Sequence, residues 1–207
     1  MTKKILILLF ILLPLKANAL IEVDITRGNL NPLPLAVSPL SIDEESRKGF
    51  EKILKKENIG SEISNIVENN LRISGLFNPL DKKAFLQAPD IANFKPRFED
   101  WNLIKAQALI TGKVNYVDDK LRVEFRLWDV LAAKEMMALA FTTVPNNWRR
   151  VGHIISDKVY ERLTGEKGYF DTRIIYVSEE GPKTQRIKKL AIMDQDGANN
   201  KFLTLGN

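Results

Sequence analysis

The sequence predicts an α+β domain, a mixed sheet with helices, followed by a short all-β segment. Three observations predict it. Apolar residues recur at three- and four-residue steps over residues 61–75 and again over 148–163. Between those stretches the period changes to two, over residues 108–144. Beyond a glycine-bounded break at 165–168, only short strand-like runs and turns follow.

"MTKK" is a short basic region, and "ILILLFILL" (Ile5–Leu13) is an uninterrupted apolar run of nine residues. A membrane-spanning helix needs roughly 20 such residues. Pro14 breaks the run, and "ANA" (Ala17–Ala19) places small residues where a signal peptidase reads. Residues 1–19 are therefore read as a cleaved export signal, cut between Ala19 and Leu20, with an uncleaved anchor as the alternative. The mature chain is expected in the periplasm or outside the cell, with no stable membrane anchor once the signal is removed. Leu20–Thr26 reads as a strand, with Ile21, Val23 and Ile25 alternating with Glu22, Asp24 and Thr26. Leu33–Val37 is short and apolar. Pro32 and Pro34 confine it to a strand edge or start.

Ser41–Glu57 is densely charged, with Phe50, Ile53 and Leu54 at helical spacing, and predicts a short surface helix interrupted by Gly49. A stronger helix opens at Gly60–Ser61, with Ser61 as N-cap, Ile63, Ile66, Val67, Asn70 and Leu71 on one face, and Gly75 at its end. Arg97–Ala106 is a further helical stretch with Phe98, Trp101 and Ile104 inward. "ALITGKVNYV" and "KLRVEFRLWDV" then flank Asp118–Asp119 as an antiparallel hairpin. Leu121, Val123, Phe125 and Leu127 face one way, Arg122, Glu124, Arg126 and Trp128 the other. "KEMMALAFTTV" adds a third strand, and Asn146 or Asn147 caps a helix through Leu163, with Trp148, Val151, Ile155 and Val159 inward and Gly165 at its end.

Composition narrows the chemistry. The 207 residues are 44% hydrophobic and 28% charged, which suits a folded chain and excludes wholesale disorder. Lys3, Lys4 and Lys16 sit in the first nineteen residues with no acid, so without them the net charge falls from +5 to +2. That small surplus argues against nucleic-acid binding. There is no cysteine, which excludes disulfides, thiolate metal sites, thiol catalysis and anchoring through an N-terminal cysteine. The one histidine, His153, reads as a partly exposed helix residue. No nucleophile elbow, metalloprotease helix, phosphate loop or dinucleotide fingerprint is present.

"MDQDGANN" (Met193–Asn200) resembles part of a calcium loop. Aligning Gly197 to the sixth position puts Ile192 at the first and Leu203 at the twelfth, both hydrocarbon where ligands are needed. The stretch is read instead as a hairpin turn, with Asp196–Gly197 as the positive-φ pair. Asp118–Asp119 is likewise read as a hairpin tip, and Trp128 as an aromatic packed under a neighbouring helix. No catalytic, cofactor-binding or metal-binding residue is assigned.

Several stretches in order carry a family resemblance: "LIEVDITRGNLNPLPLAV" after the signal, "IVENNLRISGLFNPL", "FEDWNLIKAQALITGKV", "LRVEFRLWDV", "ISDKVYERLTGEKGYFDTRIIYVS" and "LAIMDQDGANNKFLT". Together the chain resembles the TolB family, periplasmic components of the Tol-Pal envelope system. The resemblance implies an N-terminal α/β domain followed by a six-bladed β-propeller. The chain then divides into signal 1–19, α/β domain 20–164, linker 165–168 and, at 169–207, about one blade of a truncated propeller. It also implies a non-catalytic adaptor that links Pal to TolA, supports outer-membrane integrity and acts at division. The mature N-terminus is the TolA-binding segment in that family, which places it here on Leu20, Ile21, Glu22, Val23, Asp24 and Ile25, extending to about Asn31. Pal binds mainly on the propeller. Ser41–Glu57 is longer and more charged than the family pattern leads one to expect. The alternative is the N-terminal part of a propeller-bearing periplasmic hydrolase, distinguished by a catalytic domain downstream.

Overall fold

The computed structural model describes Ile21 and residues 31–206. The export signal, its cleavage site at Ala19–Leu20 and, Ile21 apart, the Leu20–Thr26 segment lie outside the described residues. Among the described residues no helix is long and apolar enough to cross a membrane.

A six-stranded mixed sheet organises the larger unit. Its strands are β1 (Leu33–Val37), β2 (Ser41–Ile42), β3 (Phe77–Pro79), β4 (Ala108–Val117), β5 (Lys120–Asp129) and β6 (Lys134–Thr143). The order is β3-β1-β4-β5-β6, with β2 also pairing β4. β1 pairs in parallel with both β3 and β4, while β4-β5 and β5-β6 are antiparallel. β1 is thus interior, and of the two places its prolines allow, an edge or a start, they occupy the start: Pro32 precedes the strand and Pro34 is its second residue. The Pro34 carbonyl accepts from the Gln107 amide (3.0 Å), so Pro34 faces β4, yet Cα pairing with β4 begins only at Leu35. The missing proline N–H therefore falls where β4 has not started, and no ladder bond is lost.

Alternation decides which side of the sheet each residue joins. Leu35, Val37, Ile110, Val114, Leu121, Val123, Phe125 and Leu127 enter the larger core. It is covered by α1 (Glu44–Leu54), α2 (Ile59–Ile73) and α5 (Trp148–Thr164). Ile21 packs against the same core. On the opposite face, Ala36, Leu109 and Val130 pack with Trp101 of α4 (Phe98–Leu103), which follows the short α3 (Pro89–Phe94). Trp128 stacks edge-on against Phe98 at 5.8 Å and donates to Thr111 Oγ1 (2.9 Å), the packing role expected of it. Its neighbours Arg122 and Lys113 pair with Glu124, so this wet face is laced with ion pairs.

Three local expectations change. α1 runs unbroken through Gly49, and the glycine makes room for the Tyr116 ring: a Cβ there would lie 2.4 Å from Cδ1. α2 starts three residues early: Asn58, not Ser61, is the N-cap, and it accepts from the Ser61 amide (3.4 Å). Neither Asn146 nor Asn147 caps α5 with its side chain, since Pro145–Asn147 forms a 3₁₀ turn running into it. The helix ends are as read: Gly75 and Gly165 take φ of 74° and 77°. The Asp118–Asp119 tip is a two-residue turn with both φ positive, 51° and 57°, the geometry that matches strand twist.

Asp43 caps α1. Its carboxylate accepts from the Ser46 amide (2.7 Å), the Ser46 hydroxyl (3.1 Å) and Asn115 Nδ2 (2.8 Å), tying the helix to β4. The Ser46 backbone bond is the main cause of its lowered pKa. Asp43→Ala should cost about 1 kcal/mol, the usual worth of an N-cap. The folded carboxyl holds its proton less readily than the unfolded one, so this stability is present above the ordinary carboxylate value of 3.8 and lost as pH falls below it. Urea melts of wild type and variant should differ at pH 7, and the gap should narrow as pH falls below 3.8; a gap that does not narrow would contradict the cap's role.

Beyond Gly165, the chain returns to the larger unit before leaving it. Phe170 is fully buried in the main core, within residues expected to belong to the next segment. The second unit is a three-stranded antiparallel sheet, β7 (Arg173–Glu180), β8 (Ile187–Asp194) and β9 (Lys201–Phe202). Its residues Ile174, Leu190, Phe202 and Leu203 are exposed, while Tyr176 and Ile192 are half-buried.

Candidate functional site

Where the N-terminal half of α5 meets the β8–β9 turn, a cleft of about 400 Å³ opens between the two units. The helix contributes Arg149, Arg150 and His153, and the β unit contributes Asp194. The helical repeat puts Arg149, His153 and Asp157 on one stripe, four residues apart. All three meet the second unit or the chain leading to it. Arg149 Nη2 donates to Asp196 Oδ2. Arg150 makes a bidentate pair with Asp171, at 3.1 Å and 3.0 Å. The Asp157 carboxylate accepts from the Phe170 amide (2.6 Å) and the Asp171 amide (3.1 Å).

His153 departs from its expected half-exposed position. It is 3% exposed, wedged between α2 and the turn. Asn70 Nδ2 lies 2.9 Å from its Nδ1 and also donates to Ser156 Oγ (2.9 Å). Because the amide nitrogen is a donor, Nδ1 accepts and the neutral ring carries its hydrogen on Nε2. Nε2 has no hydrogen-bond partner among the described residues; Asp196 Oδ2 lies 3.8 Å away. Burial pushes the ring's pKa down, Asp196 opposes that shift, and Arg149 adds to it. Gly152, one residue earlier, lets α5 approach α2, since a Cβ there would sit 2.9 Å from Ile66 Cγ2.

The turn itself is built from its own side chains. Gly197 N donates to the Asp194 carbonyl (2.9 Å), Asp194 N to the Ala198 carbonyl (2.8 Å) and Ala198 N to Asp196 Oδ1 (3.1 Å). This is the hairpin connection expected of "MDQDGANN", in a different conformation. Positive φ falls on Gly197 (84°) and Asn199 (54°), not on an Asp196–Gly197 pair. His153, Asp194 and Asp196 place one donor atom each within 4.8 Å of one another. Sequence reasoning missed this trio, because it weighed the aspartates only against a contiguous loop.

His153 and Ser156 do not form a nucleophile–base pair. Ser156 Oγ, the hydroxyl nearest in sequence to His153, donates to the Gly152 carbonyl (2.9 Å) and accepts from Asn70. Of the expected partner-binding segment Leu20–Ile25, only Ile21 lies within the described residues, half-buried against the main core.

Residues 21–136 match the TolB amino-terminal domain family. The chain belongs to the TolB family. It is 82% identical over all 207 residues to the Tol-Pal system protein TolB of Pelagibacter ubique (strain HTCC1062), and spans 46% of that relative's length. The crystal structure of TolB from Acinetobacter baumannii superposes with a TM-score of 0.67 at 24% identity, over 84% of this chain and 39% of that one. That likeness establishes a shared TolB fold. The mixed sheet and its helices are therefore the TolB architecture, with the cleft at the foot of α5.

Proposed function

We propose that this TolB-family chain is part of a non-catalytic periplasmic adaptor of the Tol-Pal system, linking Pal and TolA and supporting outer-membrane integrity and invagination at division. The observation that carries the reading is its 82% identity, along the whole chain, to a Tol-Pal system protein. The division follows the same reading: signal 1–19, α/β domain 20–164, linker 165–168 and the first blade of a β-propeller at 169–207. The exposed apolar residues of β7–β9 support it, because a blade buries its faces only against neighbours. The identity to a Tol-Pal system protein favours the adaptor over the hydrolase alternative.

TolA recognition is assigned to Leu20–Ile25, where Ile21, Val23 and Ile25 alternate with Glu22 and Asp24. Such a segment suits strand addition: the backbone supplies ladder bonds and alternate side chains supply specificity. Pal recognition is assigned to the propeller, of which residues 169–207 are read as the first blade. Immobilised mature chain should therefore capture TolA from an envelope extract and leave Pal behind. Capture of Pal without TolA would overturn the assignment of partners to regions.

A further inference from the structure

We infer that His153, Asp194 and Asp196 form a binding site for a divalent first-row transition metal, zinc above all, at the junction of α5 with the β8–β9 turn. The donor atoms, one imidazole nitrogen and two carboxylate oxygens, lie within 4.8 Å of one another. In a tetrahedral zinc site with bonds of about 2.1 Å, ligand atoms sit about 3.4 Å apart. The trio closes to that spacing with movements of about 1 Å at a turn whose side chains border open solvent.

The second observation is the histidine itself. His153 is 3% exposed and its Nε2, aimed at Asp196, has no partner among the described residues. Buried polar atoms without partners are rare, and each calls for a physical reason. Arg149 neutralises Asp196 but gives nothing to Nε2, since both are donors. A metal ion satisfies Nε2 and both aspartates at once. The imidazole selects the ion: nitrogen suits zinc and its neighbours, whereas calcium and magnesium take oxygen. The adjoining cleft leaves room for water to complete the coordination.

Binding has two structural consequences. The ring must carry its hydrogen on Nδ1, so the Asn70 carboxamide turns over. Its Oδ1, unpartnered in the present orientation, then accepts from Nδ1 as the outer-sphere acceptor that metal-bound imidazoles require. Arg149 must also leave Asp196, and it lies beside the Trp148 ring, 5.4 Å from its centroid. Arg149 is thus a built-in competitor for the ion.

The chain has one histidine and no cysteine, so an imidazole-dependent zinc signal in tag-free protein reports on His153 alone. Titration of the mature chain with Zn²⁺ at pH 7.5 should show one saturable site of micromolar affinity and shift the single imidazole's NMR resonances. Ca²⁺ should bind no tighter than millimolar. Zinc binding should be lost in His153→Gln and Asp194→Asn and tightened in Arg149→Met, each checked for folding by circular dichroism. Absence of a saturable site, or unmoved ring resonances in wild type under excess zinc, would overturn the assignment. Binding that survives His153→Gln would do the same. Zinc binding no tighter in Arg149→Met would remove Asp196 from the ligand set.

Discussion

Replacing Phe170 with Ala is expected to destabilise the larger unit by about 3–5 kcal/mol, the range for a fully buried phenylalanine. Phe170 has no exposed surface, lies 4.5 Å ring to ring from Tyr169 and meets Tyr160 edge-on at 5.8 Å. Its amide is also one of the two held by Asp157. The side chain thus anchors the stretch after Gly165 back onto α5, and with it the approach of β7. Chemical denaturation should show the loss. Limited proteolysis should move the first cut from the exposed β7–β9 unit back towards Gly165. A loss under about 1 kcal/mol would mean the site collapses around the deletion, contrary to the packing described.

Trp101→Ala should have an effect of similar size, about 3–5 kcal/mol, on the other face of the sheet. Trp101 is 1% exposed, packs edge-on against Phe85 at 5.0 Å and donates Nε1–H to Gln87 Oε1 (3.1 Å). The smaller core has few other large side chains, so its loss concentrates there. Hydrogen exchange should quicken in α4 while the amides of β5 keep their protection. Trp101→Phe, which keeps most of the apolar surface and loses only the indole bond, should cost markedly less. Uniform loss of protection across the sheet would show that the two cores are not separable.

What was legible in the sequence was whatever local pattern alone decides. The alternation of Leu121, Val123, Phe125 and Leu127 gave the buried face of β5, and all four are buried. Asp118–Asp119 marked the tightest turn, and the steps from Ile63 to Leu71 marked the inward stripe of α2. What was left open or misread depended on neighbours far along the chain. Pro34 fitted an edge or a start, and only the stagger of β1 against β4, a tertiary fact, decides for the start of an interior strand. Gly49 looked like a break because Tyr116, which it accommodates, lies on a distant strand. His153 looked half-exposed because its cover comes from Asn70, eighty-three positions earlier, and from the turn bearing Asp196. The candidate site is made by that meeting of α2, α5 and the turn, and no window of the sequence contains it.

The adaptor reading rests on one contact above the others, the recognition of TolA by the mature N-terminus. Calorimetric titration of TolA into two forms of this chain, one starting at Leu20 and one at Asn31, measures it directly. The account predicts saturable binding to the first and none to the second, with matching circular dichroism spectra for the two. Equal binding by both forms would contradict it.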